Sequence, residues 1–164
     1  GLGVDFNGRT VEVADIDSAA GAELRFGGHR LTIAREGDAI ILLARILLMI
    51  LFLLSGWSKL TGFEGTVSYF TSIGAPAPTL AAAIAVIMEF FVAIVLILGF
   101  YTRPLAMLFA LFVVGTAMIG HPFWDMVEPA RSANMTQFFK NMSIVGGLLL
   151  LAVTGAGRFS LDRR

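Results

Sequence analysis

Four long apolar stretches constrain the fold of this chain more than any other feature of its sequence. They span residues 38–62, 79–99, 103–121 and 137–158, and each contains few charged side chains. A helix rises about 1.5 Å per residue, so roughly 20 apolar residues are enough to cross the hydrocarbon core of a bilayer. The composition, 57% hydrophobic and 15% charged, is also typical of a membrane protein. We therefore predict an all-α membrane protein built as a four-helix transmembrane bundle.

The distribution of lysine and arginine predicts the orientation of this bundle. Arginines are frequent before the first stretch, at the turn between the second and third stretches, and in the C-terminal tail. The opposite side carries Lys59 and Arg131, accompanied by acidic residues. By the positive-inside rule, both termini are expected in the cytoplasm, with the bundle in the inner (plasma) membrane of a bacterium. The chain starts without a basic and then apolar leader, so no cleavable signal peptide is expected.

Residues 1–38 differ in kind from residues 39–162, and the two ranges are predicted to be separate units. Short alternating segments joined by glycine turns predict a β-hairpin-like cytoplasmic segment that leans on the membrane domain or on a partner. Sequence alone leaves open whether this segment is a native extension. After the first stretch, Phe63, Val67, Phe70 and Ile73 recur at helical spacing. They predict a short amphipathic helix in the interface, with an ordinary loop as the alternative.

Glu89 lies in the middle of the second apolar stretch. A charged group at this depth costs roughly 2.5–3.5 kcal/mol on insertion scales, so it must face protein or water rather than lipid. Arg45 of the first helix is expected within a turn or two of it, which predicts an intramembrane Arg45–Glu89 ion pair. The alternative is that Arg45 extends to the headgroups while Glu89 is protonated or bonded to a hydroxyl.

A second polar group is predicted at the outer end of the bundle. Lys59 ends the first helix, His121 ends the third, and Lys140 and Asn141 lie near the start of the fourth. Antiparallel packing is expected to bring them to a similar depth, among several aromatic side chains. Such a set is suited to a quinone head or an oxyanion, so these residues form our candidate ligand-binding site. The alternative is that they are ordinary interfacial anchors.

The ordered set of these features resembles the DoxX family of small four-helix membrane proteins over about residues 39–162. The features that carry the resemblance are Arg45, Gly56 and Lys59 in the first helix, Glu89, the segment Gly99–Leu105, His121, Lys140–Asn141, and Gly155–Arg163. Residues 1–38 have no counterpart in the family pattern. The resemblance implies a membrane subunit associated with redox systems. Some members are linked to thiosulfate:quinone oxidoreductase or quinol oxidase complexes, and others to oxidative-stress or thiol-balance systems.

The sequence excludes several kinds of chemistry. It contains no cysteine and only two histidines, which excludes thiolate catalysis, cysteine-bound clusters and bis-histidine haem within the bundle. We find no catalytic set, metal site or dinucleotide motif, and a net charge of zero gives no reason to expect nucleic acid. We therefore predict a non-catalytic accessory or anchor subunit of a membrane redox complex, in contact with lipid and partner subunits. No covalent cofactor is expected, and a quinone is the candidate ligand. The alternatives are a small transporter that uses Glu89 as an ion or proton relay, and a structural scaffold.

Overall fold

The computed structural model describes the backbone of residues 2–6, 9–13, 23–26, 29–32 and 34–162, and the side chains of residues 37–162. The N-terminal strands are β1 (Leu2–Phe6), β2 (Arg9–Val13), β3 (Glu23–Phe26) and β4 (His29–Thr32). They pair antiparallel in the order β1-β2-β3-β4. The predicted β-hairpin-like segment depends on turns at residues 7–8, 14–22 and 27–28, which lie outside the described residues.

Helices make up most of the remaining chain. They are α1 (Ala34–Thr61), α2 (Phe63–Ser72), α3 (Pro78–Val86), a π-helical turn (Ile87–Val92), α4 (Ala93–Leu98), α5 (Thr102–Gly120), a 3-10 turn (Phe123–Asp125) and α6 (Ala130–Thr154). The helix α3, the π turn and α4 follow one another without a break, and we call this continuous helix (Pro78–Leu98) the second span. The predicted helix after the first stretch is confirmed as α2.

By length and composition, the described residues contain four helices that can cross a membrane, at Gly37–Thr61, Pro78–Leu98, Thr102–Asp125 and Ala130–Thr154. This confirms the predicted helical, four-span architecture of the membrane portion. We call the end of the bundle that holds Lys59 and His121 the Lys59 end, and the opposite end the Arg45 end.

The spans are arranged as two antiparallel pairs, α1 with the second span and α5 with α6. The core lies between the pairs, where the Phe52 and Phe109 rings meet edge to face with their centroids 4.8 Å apart. Met49, Leu96 and Leu148 surround them and are fully buried. Most large apolar side chains elsewhere on the spans are exposed, as expected for helices whose outer surfaces face lipid.

One glycine determines how closely α1 approaches the second span. A Cβ atom at Gly56 would lie 2.6 Å from the backbone nitrogen of Phe90 and 2.7 Å from the carbonyl carbon of Glu89. Only a residue without a side chain fits here, because the two backbones are in direct contact. Gly56 therefore fixes the register of α1 against the π turn.

Candidate functional site

Glu89 is the centre of the candidate site, and its partner is Lys59. The Lys59 Nζ atom lies 2.5 Å from Glu89 Oε2 and donates a second hydrogen bond of 2.5 Å to Ser55 Oγ. The Glu89 side chain is 9% exposed and that of Lys59 is 23% exposed, so the pair is largely withdrawn from the surface. Glu89 lies in the π turn, a helical irregularity that is frequent at functional sites.

The predicted Arg45–Glu89 ion pair is wrong, and the register of α1 explains why. Gly56 packs directly on the Glu89–Phe90 peptide, and Lys59 lies three residues further along α1, less than one turn away. Arg45 lies eleven residues before Gly56, which corresponds to about 16 Å along the helix axis. That distance exceeds the reach of an arginine side chain. The prediction assumed a register that Gly56 does not allow.

Arg45 is instead bound by backbone carbonyl groups. It is fully buried, and its guanidinium donates to Ile97 O at 3.0 Å, to Leu96 O at 3.5 Å and to Phe159 O. Leu96 and Ile97 belong to the last turn of α4, where the negative end of the helix dipole favours a cation. Glycine suits position 99 because its φ is +70° and an added Cβ would lie 2.5 Å from the Cβ of Ser160. Arg45 thus joins α1, the second span and the C-terminal tail.

The tail closes the Arg45 end through Asp162. Its carboxylate accepts hydrogen bonds from the backbone nitrogens of Tyr101 at 2.7 Å and Thr102 at 3.0 Å, and so caps the start of α5. Partial burial acts to raise the pKa of Asp162. The hydrogen bonds from Thr102 and Tyr101 and the charge of Arg45 outweigh burial and hold that pKa below its ordinary value of 3.8. Asp162 therefore fastens the C-terminal tail to the start of α5.

A cavity of about 600 Å³ opens beside the Lys59–Glu89 pair, and we call it the ligand cavity. Its walls come from α1, α2, the second span, α5 and α6. Most of the lining is apolar and includes the rings of Phe52, Phe70 and Phe112. The polar groups of the lining are Ser55, Lys59, Tyr69, Glu89, Thr116, His121, Gln137 and Asn141. Volumes of 300–1,000 Å³ with mainly apolar walls and a few polar groups are typical of small-molecule sites.

Part of the apolar lining of the ligand cavity is exposed. Leu80 and Ile84 of α3 and Ile119 of α5 all line the cavity, and each is exposed, by 61%, 45% and 44% respectively. On a membrane-spanning helix, exposed side chains of this kind face lipid tails. We call this exposed apolar part of the lining the lateral portal.

The predicted outer cluster is partly assembled. Lys59, His121 and Asn141 all line the ligand cavity, whereas Lys140 is exposed and lies outside the cavity lining. Asn141 and Gln137 are one turn apart on α6, and both line the cavity. The inclusion of Lys140 in the predicted site is therefore not supported by its position. Gln137, Ser55 and Tyr69 were missed, although the four-residue spacing of Gln137 and Asn141 was visible in the sequence.

His121 is held in one tautomer. Asn134 donates from Nδ2 to Ala130 O at 3.0 Å, which leaves Asn134 Oδ1 to face His121 Nδ1 at 2.9 Å. In the neutral imidazole, the proton is then on Nδ1, and Nε2 is a hydrogen-bond acceptor. The cavity thus combines a cationic donor at Lys59, an acceptor at His121 and amides at Gln137 and Asn141. Among the described residues, no group of three His, Asp or Glu side chains is placed to hold a metal ion.

These features define a small multi-span membrane protein with a cavity of ligand size beside a buried ion pair. The DoxX family model matches residues 40–122. Two relatives from Escherichia coli strain K12 are similar over most of their length. Inner membrane protein YphA is 54% identical over 125 residues, covering 76% of this chain and 89% of that protein. Inner membrane protein YqjF is 40% identical over 126 residues, covering 77% and 92%.

The chain therefore belongs to the DoxX family. A third relative is CatD of Bacillus subtilis, whose name describes it provisionally as an oxidoreductase. It is 38% identical over 90 residues, which covers 53% of this chain and 66% of CatD. No solved structure matches the chain.

Proposed function

We propose that this protein is an inner-membrane subunit of a redox system and that its ligand cavity binds the head of a membrane-soluble carbonyl compound of the quinone class. The observation that carries the proposal is the ligand cavity itself, in which one cationic donor, Lys59, faces a mainly apolar volume with a lateral portal. A quinone has the matching chemistry, since it offers carbonyl oxygens on a flat apolar ring with an apolar tail.

The relatives support the cellular setting of this proposal. YphA and YqjF are named as inner membrane proteins, and the name of CatD refers provisionally to an oxidoreductase. The cysteine-free sequence supports a division of labour in which a partner subunit holds the electron carriers. We further propose that residues 1–38 form a cytoplasmic extension for such a partner, and that residues 39–162 form the membrane domain with both termini cytoplasmic. The Lys59 end then faces the periplasm.

Quinone binding is testable with a short-chain ubiquinone analogue, decylubiquinone, added to the purified protein in lipid nanodiscs. Trp57 stacks near Phe90 with ring centroids 5.8 Å apart, so its fluorescence reports on a quencher bound beside the π turn. A Trp124→Phe background removes the other tryptophan. Saturable quenching is expected. Lys59→Met should weaken binding about tenfold or more, because a charge-assisted hydrogen bond is lost.

The chain supplies a matched control for this experiment. Lys140→Met removes the same charge from an exposed residue outside the cavity lining, and it should leave binding unchanged. Circular dichroism of each variant establishes that the bundle is folded. Absence of saturable quenching, or equal loss in the Lys59 and Lys140 variants, would contradict the proposal.

A second candidate function is transport, with Glu89 as an ion or proton relay. The specific observation that favours it is a largely buried carboxylate in a π turn beside a cavity. Flux of an ion across liposomes that contain only this protein, abolished in Glu89→Gln, would favour transport over redox association.

A further inference from the structure

A second depression lies at the corner between α1 and α2, and its chemistry differs from that of the ligand cavity. It has a volume of about 450 Å³ and lies at the surface of the Lys59 end. Its lining consists of hydroxyl side chains, glycines and one amine: Ser55, Ser58, Lys59, Gly62, Gly65, Thr66 and Tyr69. We call it the hydroxyl groove. The hydroxyl and amine groups of this lining can hydrogen-bond to water that enters from the surface.

Lys59 lies at the junction of the hydroxyl groove and the ligand cavity. It lines both, and so do Ser55 and Tyr69. The Lys59 amine contacts Ser55 Oγ and Glu89 Oε2, each at 2.5 Å, and Glu89 lines only the ligand cavity. The Lys59 amine therefore lies between the groove, which it lines, and a largely buried carboxylate. The lateral portal offers no protonatable group, since its side chains are apolar.

We propose that the hydroxyl groove is the entrance by which protons reach Glu89, separate from the lateral portal. In the step, the Lys59 ammonium passes one N–H proton to the Glu89 carboxylate, which becomes a carboxylic acid. The neutral lysine amine then takes a proton from a hydronium ion that enters through the groove, and this ion becomes water. No electron moves, and the reverse step returns the proton. Lysine donates from three N–H groups, so it can contact groove and carboxylate together.

Few other titratable groups face this pair. Tyr69 of α2 lines both depressions, and His121, after α5, lines the ligand cavity. The cavity residues that α6 contributes are the neutral Gln137 and Asn141, and α3 contributes apolar ones. His121 is therefore the main competitor for proton uptake in the cavity and requires its own variant.

The proposal is tested without any ligand, in nanodiscs, by time-resolved infrared spectroscopy after a rapid drop in pH. The carboxyl band of Glu89 is identified by its loss in Glu89→Gln. The test variant is Gly65→Leu, which fills the groove from α2, where an added Cβ meets nothing within 4 Å. Gly65→Ala at the same position is the matched control. We expect the band to appear severalfold more slowly in Gly65→Leu and at the wild-type rate in Gly65→Ala.

Two results would overturn the proposal. One is an unchanged rate in Gly65→Leu, which would mean that protons take another route. The other is a change in rate on His121→Gln equal to or larger than that caused by Gly65→Leu, which would place the route through the ligand cavity. Ser58→Ala, which removes a groove hydroxyl outside the ligand cavity, should also slow the band if the groove is the entrance. No quinone is added in this experiment, so a failure of decylubiquinone binding would not change the measured rate of Glu89 protonation. The two proposals are therefore tested independently.

Discussion

The contact at Gly56 leads to a prediction whose magnitude follows from the structure. In Gly56→Ala, the new Cβ would start 2.6 Å from Phe90 N, and ordinary contacts begin at 3.4 Å, so the two backbones must separate by about 0.8 Å. Overpacking of this kind typically costs 1–3 kcal/mol, against a gain of up to about 1 kcal/mol from the helix preference of alanine. The separation also lengthens the Lys59–Glu89 contact. We expect a net loss of about 1–2 kcal/mol in the free energy of unfolding.

The assay for this prediction is unfolding by SDS in mixed micelles, followed by circular dichroism. Gly146→Ala is the matched control, because it lies within α6 and its added Cβ meets nothing within 4 Å. It should be neutral or stabilising by up to about 1 kcal/mol. If Gly56→Ala unfolds at the same SDS fraction as Gly146→Ala, Gly56 does not set the approach of α1 to the π turn.

Two further predictions concern charged groups. Lys59→Met and Glu89→Gln should each destabilise the bundle by about 2–3 kcal/mol, which is less than for a fully buried pair because Lys59 is partly exposed. In the same SDS assay, the double variant should lose less stability than the sum of the two single losses. Strictly additive losses would show that the two residues are not coupled. In the folded protein, Asp162 has a pKa below its ordinary value of 3.8. Its carboxylate therefore stabilises the fold fully above about pH 3.8, and this stabilisation is lost as the pH falls through the lowered pKa. Asp162→Asn should remove that acid-dependent loss and lower stability at neutral pH by about 1 kcal/mol; an unaltered dependence of unfolding on pH would refute this.

The sequence predicted the spans because their apolar length is a property of each stretch alone. It also identified Glu89 as the group that needs a partner. It did not identify that partner, because the choice between Arg45 and Lys59 depends on the register between two helices. That register is set by one backbone contact at Gly56, which no hydropathy pattern contains. The π turn was likewise not predicted, since the charge of Glu89 within it indicates a need for a partner and does not indicate a change in helix geometry.

The outer cluster illustrates a second limit of sequence analysis. His121 and Asn141 both line the ligand cavity, in line with the expectation that the ends of antiparallel helices bring them together. Depth does not determine the face of a helix, however, and neighbouring residues on α6 point in directions about 100° apart. Asn141 therefore lines the ligand cavity while Lys140 does not. The four-residue spacing of the polar residues Gln137 and Asn141 was a better guide to which face of α6 lines the cavity than the charge of Lys140.

The two buried ionic groups of the spans differ in a way that bears on function. Arg45 is fully buried, and backbone carbonyls from the end of α4 and from the tail accept its hydrogen bonds. Moving Arg45 would break contacts that join α1, the second span and the C-terminal tail, so Arg45 is suited to a structural role. Glu89 has one movable partner, and that partner borders both a cavity of ligand size and a groove at the surface. A charge inside the membrane is expensive in both cases. What separates the two groups is access: Glu89 lines the ligand cavity and its partner Lys59 also lines the hydroxyl groove, whereas Arg45 lines neither depression.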